Sequence, residues 1–173
     1  VRAYLHSATM VRAGVYLVAR FSPACADAPP WRPIVLSAGL ASMLIGGYRA
    51  LRQHDIKLVL AYGTISQLGL MMVLFGAGTP ETTFAGCTLL IAHGIFKASL
   101  FMLVGVVDHQ AHTRDLRLLD GLGRRWPVVA ATGAVVAASM AGLPPLLGFI
   151  AKEEALAGLG DVTLAWGGWV LAG

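Results

Sequence analysis

The sequence predicts an all-α protein: a polytopic transmembrane helix bundle of about five complete spans plus part of a sixth, with one proline-broken helix. Three observations carry that expectation. The 173 residues are 57% hydrophobic and only 13% charged, about half the charge of an ordinary soluble domain. Mean hydropathy is +0.71. The apolar residues also fall into blocks of about 20, the length that crosses a bilayer, separated by short charged or Pro/Gly-rich linkers. This composition argues against a soluble enzyme. The net charge of +4 does not point to nucleic acid, because the basic residues lie between the apolar blocks, where they set topology.

In chain order, the predicted spans cover residues 3–21, 34–51, 57–77, 83–107 and 127–150, with a sixth starting near 162. Pro29-Pro30-Trp31-Arg32-Pro33 precedes the second, Gly76-Ala77-Gly78-Thr79-Pro80 follows the third, and Arg124-Arg125-Trp126-Pro127 opens the fifth. Arg2, Arg49, Arg52, Lys57, Arg114, Arg117, Arg124 and Arg125 fall on one side of this arrangement, against Arg20, Arg32 and Lys152 on the other. That bias makes the loop 108–126 cytoplasmic. The whole of 1–173 reads as one transmembrane domain, and as a fragment, since it opens at Val1 inside one apolar run and closes inside another. Cys25 and Cys87 have no metal or redox spacing. Asp108, His109 and His112 are spaced like metal ligands but lack a companion cluster, so no metal site and no cofactor is expected.

Within the fifth span, Gly142-Leu143-Pro144-Pro145-Leu146-Leu147-Gly148 places two adjacent prolines in an apolar helix, and each removes an amide donor. A simple kink would satisfy this. A full break is the sharper expectation, because broken helices in transporters free backbone groups beside the ion path and Lys152-Glu153 follow at once. Ala134, Ala138 and Gly142 form a small-residue stripe suited to close helix packing.

Ionisable groups inside apolar spans cost about 2.5–3.5 kcal/mol each on insertion scales, so each needs a partner, water or a function. His6 and Arg12 lie in the first span, Lys57 opens the third, His93 and Lys97 lie in the fourth, and Lys152 with Glu153 ends the fifth. His93 and Lys97 are four residues apart and share one helical face, with Gly94 between them leaving room for a neighbouring helix or water. A lysine withdrawn from water and a histidine one turn away can both exchange protons near neutral pH, the elements of a proton relay. Alone, His93 reads as a hydrogen-bonded core histidine; Lys97, too deep to snorkel, tips the pair towards function. Lys57, beside His54 and Asp55, fits an interfacial cation as well as a relay member. Arg12 keeps its proton at any physiological pH and can act only as a fixed charge.

Four ordered motifs carry a resemblance across nearly the whole chain. They are Ala3-Tyr4-Leu5-His6-Ser7-Ala8-Thr9-Met10-Val11 with Ala13-Gly14-Val15-Tyr16-Leu17; Asp55-Ile56-Lys57-Leu58-Val59-Leu60-Ala61-Tyr62 running to Ser66-Gln67-Leu68-Gly69; His93-Gly94-Ile95-Phe96-Lys97-Ala98-Ser99-Leu100-Phe101; and Ser139-Met140-Ala141-Gly142-Leu143-Pro144-Pro145 running to Lys152-Glu153. Together they resemble the membrane subunits that Mrp-type multisubunit cation/proton antiporters share with the proton-pumping arm of respiratory complex I. The first and third motifs, with Val106-Val107-Asp108-His109, are similar to the A subunit of the Mrp Na+/H+ antiporter.

The resemblance implies two inverted five-helix repeats, each with one broken helix, and a midplane line of lysines and histidines. This chain would supply the end of the first repeat and most of the second. His6, Lys57, His93, Lys97 and Lys152 would form the line, with Glu153 beside its end. Two departures stand out. Arg12 occupies a position where a lysine is expected, and the glutamate and lysine of the first repeat would precede Val1. The implied partners are other subunits of a membrane antiporter complex, protons, Na+ or another monovalent cation, and the lipid bilayer of a bacterial inner membrane; no nucleic acid is implied. The implied role is secondary-active transport rather than enzyme catalysis. A redox-coupled pump subunit of complex I would share these motifs and would be part of an enzyme; a non-conducting scaffold is the third reading.

Overall fold

The computed structural model describes residues 10–25, 28–119 and 121–172, with side-chain surroundings for residues between 12 and 160. Among the described residues seven helices run in order: α1 Met10–Cys25, α2 Trp31–Leu51, α3 Ile56–Ala77, α4 Pro80–Ala111, the short α5 Leu122–Arg125, α6 Pro127–Ala141 and α7 Leu147–Ala172. The described residues form no strand, only an isolated antiparallel bridge between Asp55 and Asp115. By length and composition α2, α3 and α4 can each cross a membrane, whereas α6, at 15 residues, is short.

Local chemistry explains the helix ends. Asp55 accepts from the backbone amides of Lys57 and Leu58 at 2.8 and 3.3 Å, satisfying donors that the first turn of α3 leaves free. Thr79 and Thr82 form a reciprocal capping box at the start of α4, with Pro80 in the first turn, where no amide is missed. α3 ends on Gly78, whose φ of 73° suits glycine. α4 spans 32 residues, about 48 Å at 1.5 Å per residue, so it outruns the hydrocarbon and keeps Asp108 helical.

α3 and α4 are central. Val15 from α1, Met71, Leu74 and Phe75 from α3, Ala85, Leu89, Ala92 and Phe96 from α4, and Ala151 and Ala155 from α7 form one apolar core. A second, smaller cluster joins Leu60 of α3 to Leu100 and Val104 of α4, with Val136 and Met140 of α6 against it. α2 and α3 approach each other tightly: a Cβ added at Gly69 would lie 2.5 Å from the Met43 nitrogen and 2.6 Å from the Gly39 oxygen. Ser66 seals this seam by donating to the Met43 carbonyl at 2.9 Å.

The expected small-residue stripe does not pack that tightly. Ala134 is exposed, α6 buries no residue among those described, and it is Gly133 that faces Leu103, at 3.7 Å from its added Cβ. The full break expected within span 127–150 is present, dividing it into two elements. α6 stops at Ala141 because Gly142 turns to φ 87°, donating to the carbonyls of Ala138 and Ser139, and α7 begins only at Leu147. From there α7 runs unbroken to Ala172, so the apolar run starting near 162 continues the helix that carries Lys152. Gly158 does not interrupt it: its missing side chain leaves space for Thr82, whose Cγ2 would be 3.3 Å from an added Cβ.

Candidate functional site

Lys97 is fully buried in α4 and donates from Nζ to the carbonyl oxygen of Leu60 on α3 at 2.9 Å. The site for this ammonium is built by sequence. Gly63 leaves room for it, since an added Cβ there would lie 3.3 Å from Nζ, and the Thr64 hydroxyl donates to the same Leu60 oxygen at 2.8 Å. A carbonyl oxygen has two lone pairs and can accept both. His93, one turn earlier on the same face, is also fully buried and meets Phe96 edge-to-face at 5.4 Å between centroids. Neither ring nitrogen of His93 bonds to a described residue.

Arg12 reaches this pair from α1. Its guanidinium lies directly on Gly94, where an added Cβ would collide with Nη1 and lie 3.0 Å from Cζ. Its Nε and Nη2 are buried without a partner among the described residues. The space expected at Gly94 is therefore occupied by a permanent charge beside His93.

The break holds Lys152. Its Nζ donates to the Ala141 carbonyl at 3.1 Å, at the C-terminus of α6, where orphan carbonyls and the helix dipole favour a cation. Its Cδ lies 3.0 Å from where a Cβ on Gly142 would be. α7 starts against the end of α6: Gly148 donates to Ser139 Oγ at 3.4 Å, and a Cβ on Gly148 would collide with the Ser139 carbonyl. Pro144 and Pro145 lie in this connection, joined by a cis peptide bond. Glu153 is exposed and bonds to none of the described residues.

Lys57 is placed differently. It forms an ion pair with Asp108 near the end of α4, 2.6 Å between Nζ and Oδ2, while Arg114 Nε holds Oδ1 at 3.1 Å. The loop is fastened to the same end by Ile56 N–H to Arg114 O and Leu116 N–H to His54 O, at 3.0 and 2.9 Å. Asp115 lies in this loop, and its bond to Arg117 holds its carboxyl below the usual range. His93, Lys97 and Arg12 are thus brought together, whereas Lys57 is separated from Lys97 by the Leu60, Leu100 and Val104 cluster. His6 lies outside the described residues. Sequence reasoning missed Asp108 as the partner of Lys57. The available signal was its spacing: eleven residues after Lys97, about three helical turns, returns to the same face of α4.

Fold and site together define a helical membrane protein with basic side chains lodged in its interior. The family model described as NADH:quinone oxidoreductase/Mrp antiporter, TM matches residues 1–172. The chain belongs to that family. It is 50% identical over 153 residues to the A/B subunit of a probable K(+)/H(+) antiporter of Rhizobium meliloti, covering 88% of this chain and 15% of that protein. It is 45% identical over 167 residues to the A subunit of a Na(+)/H(+) antiporter of Alkalihalophilus pseudofirmus, covering 88% of this chain and 21% of that one. One chain in the structure of the Mrp complex from Dietzia sp. DQ12-45-1b superposes with a TM-score of 0.83 at 47% identity, over 90% of this chain and 17% of that chain. This chain therefore spans about a fifth or less of the length of these relatives.

Proposed function

We propose that this chain is a segment of the A subunit of a multisubunit monovalent cation/proton antiporter, and that it carries part of a proton path coupled to Na+ exchange. One observation carries the reading: Lys97 is held without any counter-ion among the described residues, fully buried, on a backbone carbonyl one turn from an equally buried histidine. A charge kept there for stability alone would be paired. In this reading protons pass among His6, His93, Lys97 and Lys152, with Glu153 at the far end, Lys57 on the loop side, and Arg12 setting the local potential. The break at Pro144 and Pro145 presents the α6 terminus to Lys152. Relatives named for sodium and for potassium share the sequence, which supports a monovalent cation as the class.

The partners are the other subunits of such a complex, consistent with the likeness to an Mrp complex chain. The end bearing Arg49, Arg52, Lys57, Arg114 and Arg117 faces the cytoplasm of a bacterial cell, by its excess of positive charge. The test uses the full-length protein in its complex. Lys97→Ala is expected to lower cation-driven proton exchange in inverted vesicles by about a hundredfold or more, the scale of one positioned proton carrier. Unchanged exchange in an assembled complex would defeat the proposal.

A further inference from the structure

The carboxylate of Asp108 serves two cations at once. Oδ2 binds Lys57 from α3, and Oδ1 binds Arg114 from the following loop. The Lys57 side chain is 37% exposed and that of Asp108 26%, and pairs this accessible contribute little to holding a fold together. Its position is more telling than its strength. Asp108 shares the α3-facing side of α4 with Lys97, and Lys57 lies one turn before Leu60, whose carbonyl holds Lys97. Between these two contacts lies the apolar layer of Leu60, Leu100 and Val104, each buried. Near the start of α3, an ammonium in reach of water thus lies about one helical turn from a buried one, with these apolar side chains beside both.

We infer that Asp108 is a positioning residue for Lys57: it parks the Lys57 ammonium on the loop side of the apolar layer, and Arg114, competing for the same carboxylate, sets how readily Lys57 leaves to meet the Lys97 site. The inference rests on the proposed proton path and adds a control point to it. Lys57 is the group assigned to move because it is the cation on α3, one turn from the Leu60 carbonyl that holds Lys97, whereas Asp108 is short and Arg114 approaches from the loop, whose backbone is fixed by the Ile56 amide to the Arg114 carbonyl. Other titratable or charged groups of this end include Arg49 and Arg52 at the end of α2, His54, Asp55, His109, His112, Asp115 and Arg117; Asp55 is engaged with the α3 amides and Asp115 with Arg117.

The experiment measures exchange in inverted vesicles with the full-length protein in its assembled complex, alongside Lys97→Ala. Asp108→Asn is expected to cut exchange about tenfold, the worth of one charge-assisted contact, and Asp108→Glu to restore most of it. Lys57→Arg keeps the ion pair and so the local structure, but its guanidinium cannot give up a proton, and it is expected to abolish exchange. Normal exchange in Asp108→Asn, or in Lys57→Arg, while Lys97→Ala is inactive would overturn the role of Asp108 and leave the proton path standing. Normal exchange in Lys97→Ala would overturn the path, and this inference with it.

Discussion

Gly148→Ala should destabilise the region around the broken helix by about 3 kcal/mol, the upper range for overpacking a site that cannot give way. The reason is what the added methyl would meet. It would run into the carbonyl oxygen of Ser139 and come within 2.7 Å of its carbon, both backbone atoms of α6 that no rotamer change can move. The two half-helices would have to separate, and Lys152, one turn into α7, would be drawn off the Ala141 carbonyl. Thermal unfolding of the purified full-length complex should show a lower Tm, and vesicles should show reduced exchange. Gly105→Ala is the matched control, since nothing lies within 4 Å of its added Cβ. Equal Tm values for the two variants would refute the close approach of α6 and α7.

Gly69→Ala is the second large effect, expected to cost about 2–3 kcal/mol for the same physical reason at a different seam. Its new Cβ would lie 2.5 Å from the Met43 nitrogen, 2.6 Å from the Gly39 oxygen and 3.0 Å from the Met43 Cα. α2 and α3 must then part, which lengthens the Ser66 to Met43 bond now at 2.9 Å. In a bilayer that separation is not offset by water, and the lost contacts are chiefly van der Waals packing. Gly47→Ala, whose added Cβ would sit 3.5 Å from Ser66 Oγ, should melt like the unaltered protein. A Gly69→Ala complex that melts with it would show that α2 and α3 tolerate a wider seam.

Much of this architecture is legible in the apolar blocks and their punctuation. The ends of α2 and α3 fall within a few residues of expectation because Pro, Gly and charge clusters mark where a helix must stop. The pairing of His93 and Lys97 on one face follows from their four-residue spacing. What escapes a reading of the sequence is of two kinds. Continuity from Leu147 to Ala172 is hidden because the charged Lys152-Glu153 reads as the end of one span and the apolar run near 162 as the start of another; in the fold Gly158 instead lies within the helix, against Thr82. The partners of the basic groups are hidden because they sit on other helices: the Leu60 carbonyl is invisible to any reading of side chains, and Asp108 is fifty-one residues from Lys57. Arg12 is legible as a fixed charge, but its seat on Gly94 requires knowing that its side chain reaches from α1 to α4 there.

The bond from Lys152 to Ala141 ties electrical state to shape. A truncated helix exposes carbonyl oxygens that water or a cation must satisfy, and here a lysine from the next helix supplies both a donor and a full positive charge. If that lysine surrenders its proton, the α6 terminus loses its electrostatic partner, and the half-helix is freer to tilt or lengthen at Gly142, the residue whose left-handed backbone ends it. On the proposed proton path, the charge on one nitrogen and the end of a half-helix are thus linked at the fracture, through the single bond from Lys152 to Ala141.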